Sequence, residues 1–476
     1  MKLKHLSTAM ILATLPATGV FAAALDRSGQ SMSAFLQPGN YFEAGISVLD
    51  PDVAGKEAGG TPTRRDISDM GDDYYFPSAA LKLQLNDKFS FGLLYDQPFG
   101  SDAQYSGNNA FVSNPGSDSV LSPAAIDGIV TKKATEALIA QGAPITEQNL
   151  ALAKGKVLAS DSFKALAGAL GVANNYLGTG GTKVEVDTQN LSFVFGYQPT
   201  QNFNFYAGPV LQTVKGNVSL RGQAYSLYNG YDANIKETTG VGWLAGAAYQ
   251  IPEIALKASL TYRSEIDHKT NINEDLSLLN FPGLTSVLAG LDVPASKLQA
   301  INSEGKTTIT TPQSVNLDFQ TGIMANTVAF ANVRWVNWKD FSIQPYKFGK
   351  VSEAIGGLVG RPNGFNLVEY ADDQWSVNAG VGRKLTDKWA GNVSVGWDSG
   401  AGNPVTTLGP TEGYWNVGLG LQYSPTPQTF LAGGVKYYWL GDAKAQTGAQ
   451  AGTDQYVADF SDNNAIAYGL KLGYKF

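Results

Sequence analysis

The feature that most constrains this chain is its last stretch, Ala465 to Phe476. Ile466, Tyr468, Leu470, Leu472, Tyr474 and Phe476 alternate there with Ala465, Ala467, Gly469, Lys471, Gly473 and Lys475. A strict period of two over twelve residues describes a strand with one greasy face and one small or polar face. A sandwich-core strand can alternate too, but rarely for so long. An aromatic carboxyl terminus also matches the signal that outer-membrane barrels present to the β-barrel assembly machinery, which makes Phe476 the expected contact.

The rhythm recurs upstream. Trp415, Val417, Leu419, Leu421 and Tyr423 alternate with Asn416, Gly418, Gly420 and Gln422, and the segments 190–197, 314–323 and 389–398 read the same way. The polar faces are rich in Gly, Ser and Asn, as suits a lumen, while aromatics gather near strand ends as an interfacial girdle requires. A charge on a lipid face near mid-membrane costs roughly 2–4 kcal/mol, and away from the strand ends these faces carry none. About fourteen such segments lie between 41 and 476, alternately joined by tight turns, such as Asn86-Asp87 and Ala325-Asn326, and by long loops. Short turns on one side and long loops on the other are the asymmetry of a transmembrane antiparallel β-barrel.

Residues 1–24 read as an export signal. Lys2 and Lys4 precede an apolar run from Met10 to Val20, and Ala22-Ala23-Ala24 supplies the cleavage site. Cleavage would leave 32 basic against 41 acidic side chains, a net charge of −9 with His neutral, which argues against a nucleic-acid partner. With no cysteine and His268 the only remaining histidine, neither a metal site nor a cofactor is expected. Ser264 precedes His268 by four residues, about 13 Å along a strand, too far for a nucleophile and its base. His268 therefore reads as a solvated rim residue, and the chain as no enzyme. Two long loops, 106–182 and 274–310, carry helical patterns near 122–141 and 146–175 and an apolar run from Leu276 to Leu291. That run reads as a helical lid, as a greasy landing surface, or as both.

Five stretches give the chain a resemblance to a known family: "EAGISVLDPDVAG" at 43–55, "LNDKFSFGLLYDQPFG" at 85–100, "ASLTYRSEIDHKT" at 258–270, "TPQSVNLDF" at 311–319 and "VRWVNWKDF" at 333–341. Together these resemble the FadL family of outer-membrane transporters for long-chain fatty acids and other hydrophobic compounds. The resemblance implies a fourteen-stranded barrel in the outer membrane over 41–476, closed inside by an N-terminal hatch, here 25–40, with a kinked third strand. It further implies capture of ligand by outer loops, a lumenal pocket, and exit sideways through a gap at the kink. The family's archetypes carry a longer hatch with an Asn-Pro-Ala element. That tripeptide is missing here, so gating by the hatch is not carried over.

Residues then become candidates. Gln97-Pro98-Phe99-Gly100 interrupts the third strand, because proline removes a ladder donor and glycine tolerates a bend; Pro98, Phe99 and Gly100 mark the expected kink and lateral opening. A fatty acid needs an apolar slot and a cation for its carboxylate. Strand parity turns Lys257, Arg263 and Arg334 inward. Lys215 and Arg221 lie near where the family places a basic contact, and Phe35 on the hatch is a candidate for the pocket floor. Aromatic hydrocarbons could use the same route without a cation. A general porin would instead need a charged constriction and no plug, and a barrel enzyme a positioned catalytic group.

Overall fold

The computed structural model describes residues 25–301 and 303–476, so the proposed export signal lies outside the described residues. Fourteen antiparallel strands form the wall. They are β1 (Tyr41–Asp52), β2 (Tyr74–Gln84), β3 in two pieces (Phe89–Asp96 and Gly100–Gln104), β4 (Lys183–Tyr197), β5 (Phe203–Leu220), β6 (Tyr231–Ile251) and β7 (Leu256–Arg263). Then follow β8 (Ser314–Met324), β9 (Thr327–Val336), β10 (Gln374–Lys384), β11 (Trp389–Asp398), β12 (Tyr414–Tyr423), β13 (Thr429–Leu440) and β14 (Asn464–Lys475). Each strand pairs with its neighbours in sequence, and β14 pairs with β1 from Asn464–Asp52 to Lys475–Tyr41, so the sheet closes on itself.

Parity sorts the side chains as the alternation requires. Leu419, Val393, Leu470 and Leu260 stand exposed on the outer face, while Asn316, Ser394, Asn416 and Lys471 are buried inside. Trp335, Trp375, Trp397, Trp415 and Trp439 each lie one residue from the outer end of their strands. Phe89, Tyr197, Phe203, Tyr249, Trp389, Tyr423 and Tyr474 ring the opposite end. Amphipathic rings favour the membrane interface, and two such belts fix the barrel's position in a bilayer.

The short connections 85–88, 198–202, 252–255, 325–326, 385–388 and 424–428 share one end. The long ones, joined by helices such as Pro123–Ala140 and Tyr346–Ile355, pack over the other end around a common apolar core that includes Phe111, Tyr225, Tyr228, Phe348 and Phe365. The first long loop keeps its expected helices but breaks the second at Ser160, which ends one helix and caps the next through Phe163 N. Beyond Arg263 the chain leaves β6 and turns inward. Residues 266–270 pair with 307–311 in a separate ribbon, which crosses β6 where Gly240 and Gly242 leave room for Ile266.

Candidate functional site

The break in β3 falls where the Pro98 signal puts it. Asp96 pairs with Asn190 and Gly100 with Asp187, so four steps along β3 face three along β4. Toward β2 the ladder stops at Tyr95–Ala79 and contact resumes only above, at the Ala103–Gly71 bridge. Residues 74–78 of β2 thus face no β3 partner over about 16 Å by strand rise. Unpaired backbone within a membrane is costly unless it is satisfied from inside, and on the β3 side of the gap the N-terminal segment and Thr188 do so. Arg27 N donates to Pro98 O at 2.6 Å and Gly100 N to Leu25 O at 2.9 Å. Phe99 N donates to Thr188 Oγ1, which returns a bond to Phe99 O.

Residues 25–40 lie inside the barrel, held by three devices. The first is Arg334, only 2% exposed, all five of whose N–H donors are engaged. Nε and Nη2 reach Asp26 at 2.8 and 3.0 Å, Nη2 also Gln30 Oε1, and Nη1 Asn316 and Ser314. The second is Phe35, fully buried, packed edge-on to Tyr206 at 5.6 Å over two wall glycines. A Cβ on Gly92 would lie 2.4 Å from its ring, and one on Gly196 2.9 Å. The third is a pair of wall lysines at backbone carbonyls, Lys82 on Gln37 O and Lys257 on Leu36 O.

Beside this segment lies a lumenal cavity of about 120 Å³, lined by Arg263 and Asp96 and reaching Pro77, Ser78 and Gln97 at the β2–β3 gap. Ser28 Oγ donates to Asp96. Arg263 holds only long contacts: Ser192 Oγ at 3.4 Å, Gln30 O at 3.3 Å and Met32 Sδ at 3.4 Å. Its buried Nε has no partner among the described residues.

A second cavity, of about 160 Å³, sits among the outer loops. Tyr225, Tyr228, Phe348 and Phe365 supply its rings, Leu227 and Leu358 its aliphatic walls, and among the described residues no charged side chain lines it. Burial pushes the Tyr225 and Tyr228 phenols well above their ordinary values, so both stay neutral. The apolar run 276–291 packs into the outer core without lining this cavity. The aromatic string Gln223-Ala224-Tyr225-Ser226-Leu227-Tyr228, between β5 and β6, was a readable signal that strand-centred reasoning passes over.

The six candidate contacts therefore separate. Arg263 alone combines the lumenal cavity with spare donor capacity, whereas Lys257, Arg334 and Phe35 hold the N-terminal segment. Lys215 lies on the outward parity, half exposed, with Asp187 at 3.3 Å; the bulge that decides its surroundings belongs to β6, where Lys236 and Glu237 both stand opposite it. Arg221 is spent at the top of β5 on both Asp232 oxygens and on Thr179, Leu220 and Tyr231 carbonyls. His268 is a correction. It is fully buried, not solvated, because the inward ribbon carries it against Gln212 Oε1 at 2.9 Å. Ser264 bonds instead to Trp243 N, so no dyad forms.

The family model described as "Outer membrane protein transport protein (OMPP1/FadL/TodX)" matches residues 136–476. A FadL homologue of Pseudomonas aeruginosa superposes with a TM-score of 0.61 at 14% identity, covering 93% of this chain and 92% of that one. The toluene transporter TodX of Pseudomonas putida superposes with a TM-score of 0.52 at 12% identity, covering 93% and 91%. At these identities the likeness concerns the fold. Comparison with curated proteins gives no match.

Proposed function

Because this chain belongs to the OMPP1/FadL/TodX family of outer-membrane transport proteins, we propose that it admits long-chain fatty acids by way of the outer-loop cavity, the lumen and the β2–β3 gap. The family is one of transport channels rather than enzymes, carrying hydrophobic compounds across the outer membrane. The observation that carries the fatty-acid reading is Arg263, a cation lining the cavity that reaches the gap, whose hydrogen bonds are long and whose Nε is unpartnered among the described residues. A carboxylate arriving there would gain charge-assisted hydrogen bonds of the strong kind. It would share the guanidinium's field with Asp96, which lines the same cavity, and this favours a cargo that binds loosely enough to leave.

One observation favours a second reading, uptake of small aromatic hydrocarbons. The outer cavity is uncharged, ring-lined and about 160 Å³, close to the ~150 Å³ of an engineered apolar cavity that takes up benzene. A long acyl chain could occupy it only in part. Arg263→Gln separates the two readings when oleate and toluene binding are measured on the same protein. For a carboxylate cargo, oleate affinity falls about tenfold or more while toluene affinity holds. Equal effects on both ligands remove the carboxylate assignment.

A further inference from the structure

The lipid-facing wall carries one anomaly at its lower end. On the periplasmic half of the barrel, Arg383 is the one charged side chain of outward parity among the described residues. It sits one residue before the end of β10, where a long cationic side chain can reach the headgroup layer. Arg383 is exposed, and no carboxylate pairs with it among the described residues. The adjacent turn spends its own acid elsewhere, with Asp387 on Lys384 at 2.9 Å, and adds Lys388 to the same rim.

Next to Arg383 the wall is notched. Arg383, Gly391, Leu421 and Gly433 form one cross-strand row over β10 to β13. Because barrel strands tilt, such a row climbs obliquely from the rim toward the membrane interior. Gly391 and Gly433 point outward and carry no side chain, and in front of both an added Cβ would meet nothing closer than 3.4 Å. The result is an outward groove of about 550 Å³, floored by these glycines and walled by Val381, Val393, Leu419 and Val435. Arg383 and Leu385 line its lower end.

We infer that this groove is a binding site for an anionic phospholipid of the periplasmic leaflet, with the lipid phosphate on Arg383 and one acyl chain lying over Gly391 toward Gly433. The charge selects the occupant. A second copy of the chain would bring its own Arg383 or an apolar wall, and neither answers the guanidinium; a phosphate at the interface does, in bidentate fashion. The position selects the leaflet, because the groove opens beside the short turns rather than the long loops.

The test is native mass spectrometry of the full barrel in mild detergent, titrated with phosphatidylglycerol, phosphatidylcholine or lipid A. The expected result is one tightly held phosphatidylglycerol on the parent chain. Arg383→Gln should weaken it tenfold or more, and Gly391→Leu, which fills the groove and keeps the charge, should weaken it comparably. Phosphatidylcholine, whose choline cation offsets its phosphate, should bind the parent more weakly than phosphatidylglycerol does and lose less on Arg383→Gln. Heat-modifiable gel mobility verifies that each variant is a folded barrel. Unchanged phosphatidylglycerol affinity in Arg383→Gln overturns the proposal, as does an Arg383-dependent preference for lipid A over phospholipid. Neither readout involves transport, so failure here leaves the fatty-acid reading standing.

Discussion

Replacing Gly92 with alanine asks whether residues 25–40 stay in the lumen because Phe35 is seated against the wall. The new methyl would lie 2.4 Å from Phe35 Cδ2 and 3.0 Å from Cε2, whereas carbon atoms rest at about 3.5–4.0 Å. The ring must therefore retreat by about 1 Å. It has no room to do so, with Tyr206 edge-on at 5.6 Å and Gly196 on the other side. Overpacking of this kind costs roughly 1–3 kcal/mol. At tenfold per 1.4 kcal/mol, the displaced state of the segment becomes about 5- to 150-fold more populated. The cysteine-free chain makes this measurable: Ala34, 4% exposed on the same segment, is replaced by cysteine and its labelling rate by an impermeant maleimide is followed. Gly92 has an ordinary backbone φ and normal ladder partners in Lys82 and Val194, so the barrel itself should tolerate alanine. Labelling of Gly92→Ala at the parent rate would refute the reasoning, because the segment would then be held without the Phe35 contact.

Asp26→Ala strands Arg334 as a buried charge, a loss of the order of 3–5 kcal/mol, and should expose the N-terminal segment to protease in detergent while the barrel remains heat-modifiable. Ala224→Phe, which fills the outer cavity, should slow uptake of oleate and toluene together, and an effect confined to one of them would place the other's entry elsewhere. Glu412, in the loop before β12, is pushed up to about 7, chiefly by burial, against hydrogen bonds from the Gly402 and Ala401 amides. A folded value raised above the unfolded one means that its contribution is intact below about 4.5 and fades as pH rises through about 7. Protection factors in 399–413, referred to the intrinsic exchange rate at each pH, should thus fall from pH 5 to pH 8, and Glu412→Gln should remove that fall. Phe476, stacked on Tyr474 at 5.6 Å and exposed, is expected to be read by the assembly machinery, so Phe476→Ala should lower the yield of folded barrel in cells without lowering the thermal stability of what assembles.

The wall was legible because lipid outside and lumen inside impose a period of two on every strand, and all fourteen expected segments appear in it. The kink was legible for an equally local reason, since Pro98 cannot donate to a ladder. What escaped were consequences of contacts distant in sequence. Arg334 reads as an inward cation, but only the fold brings Asp26, 308 positions away, onto it. Lys215 became a candidate through its place near the family's basic contact, but its surroundings are set by an extra residue in β6, which its own strand does not announce. His268 was placed at the rim on the assumption that β7 continues upward. The inward turn depends on Gly240 and Gly242 of another strand, and no periodicity in 264–270 announces it.

The route itself rests on the β2–β3 gap, and Ser78, which lines the lumenal cavity at that gap, is the place to obstruct it. Ser78→Cys is modified with a bulky methanethiosulfonate reagent, and oleate uptake by cells is measured before modification, after it, and after thiol reduction. Lateral exit requires uptake to fall on modification and to return on reduction, while the same reagent on Ser117→Cys, exposed in the first outer loop, leaves uptake alone. Fully modified Ser78→Cys importing oleate at the unmodified rate would contradict it, and the cargo would have to leave by another path.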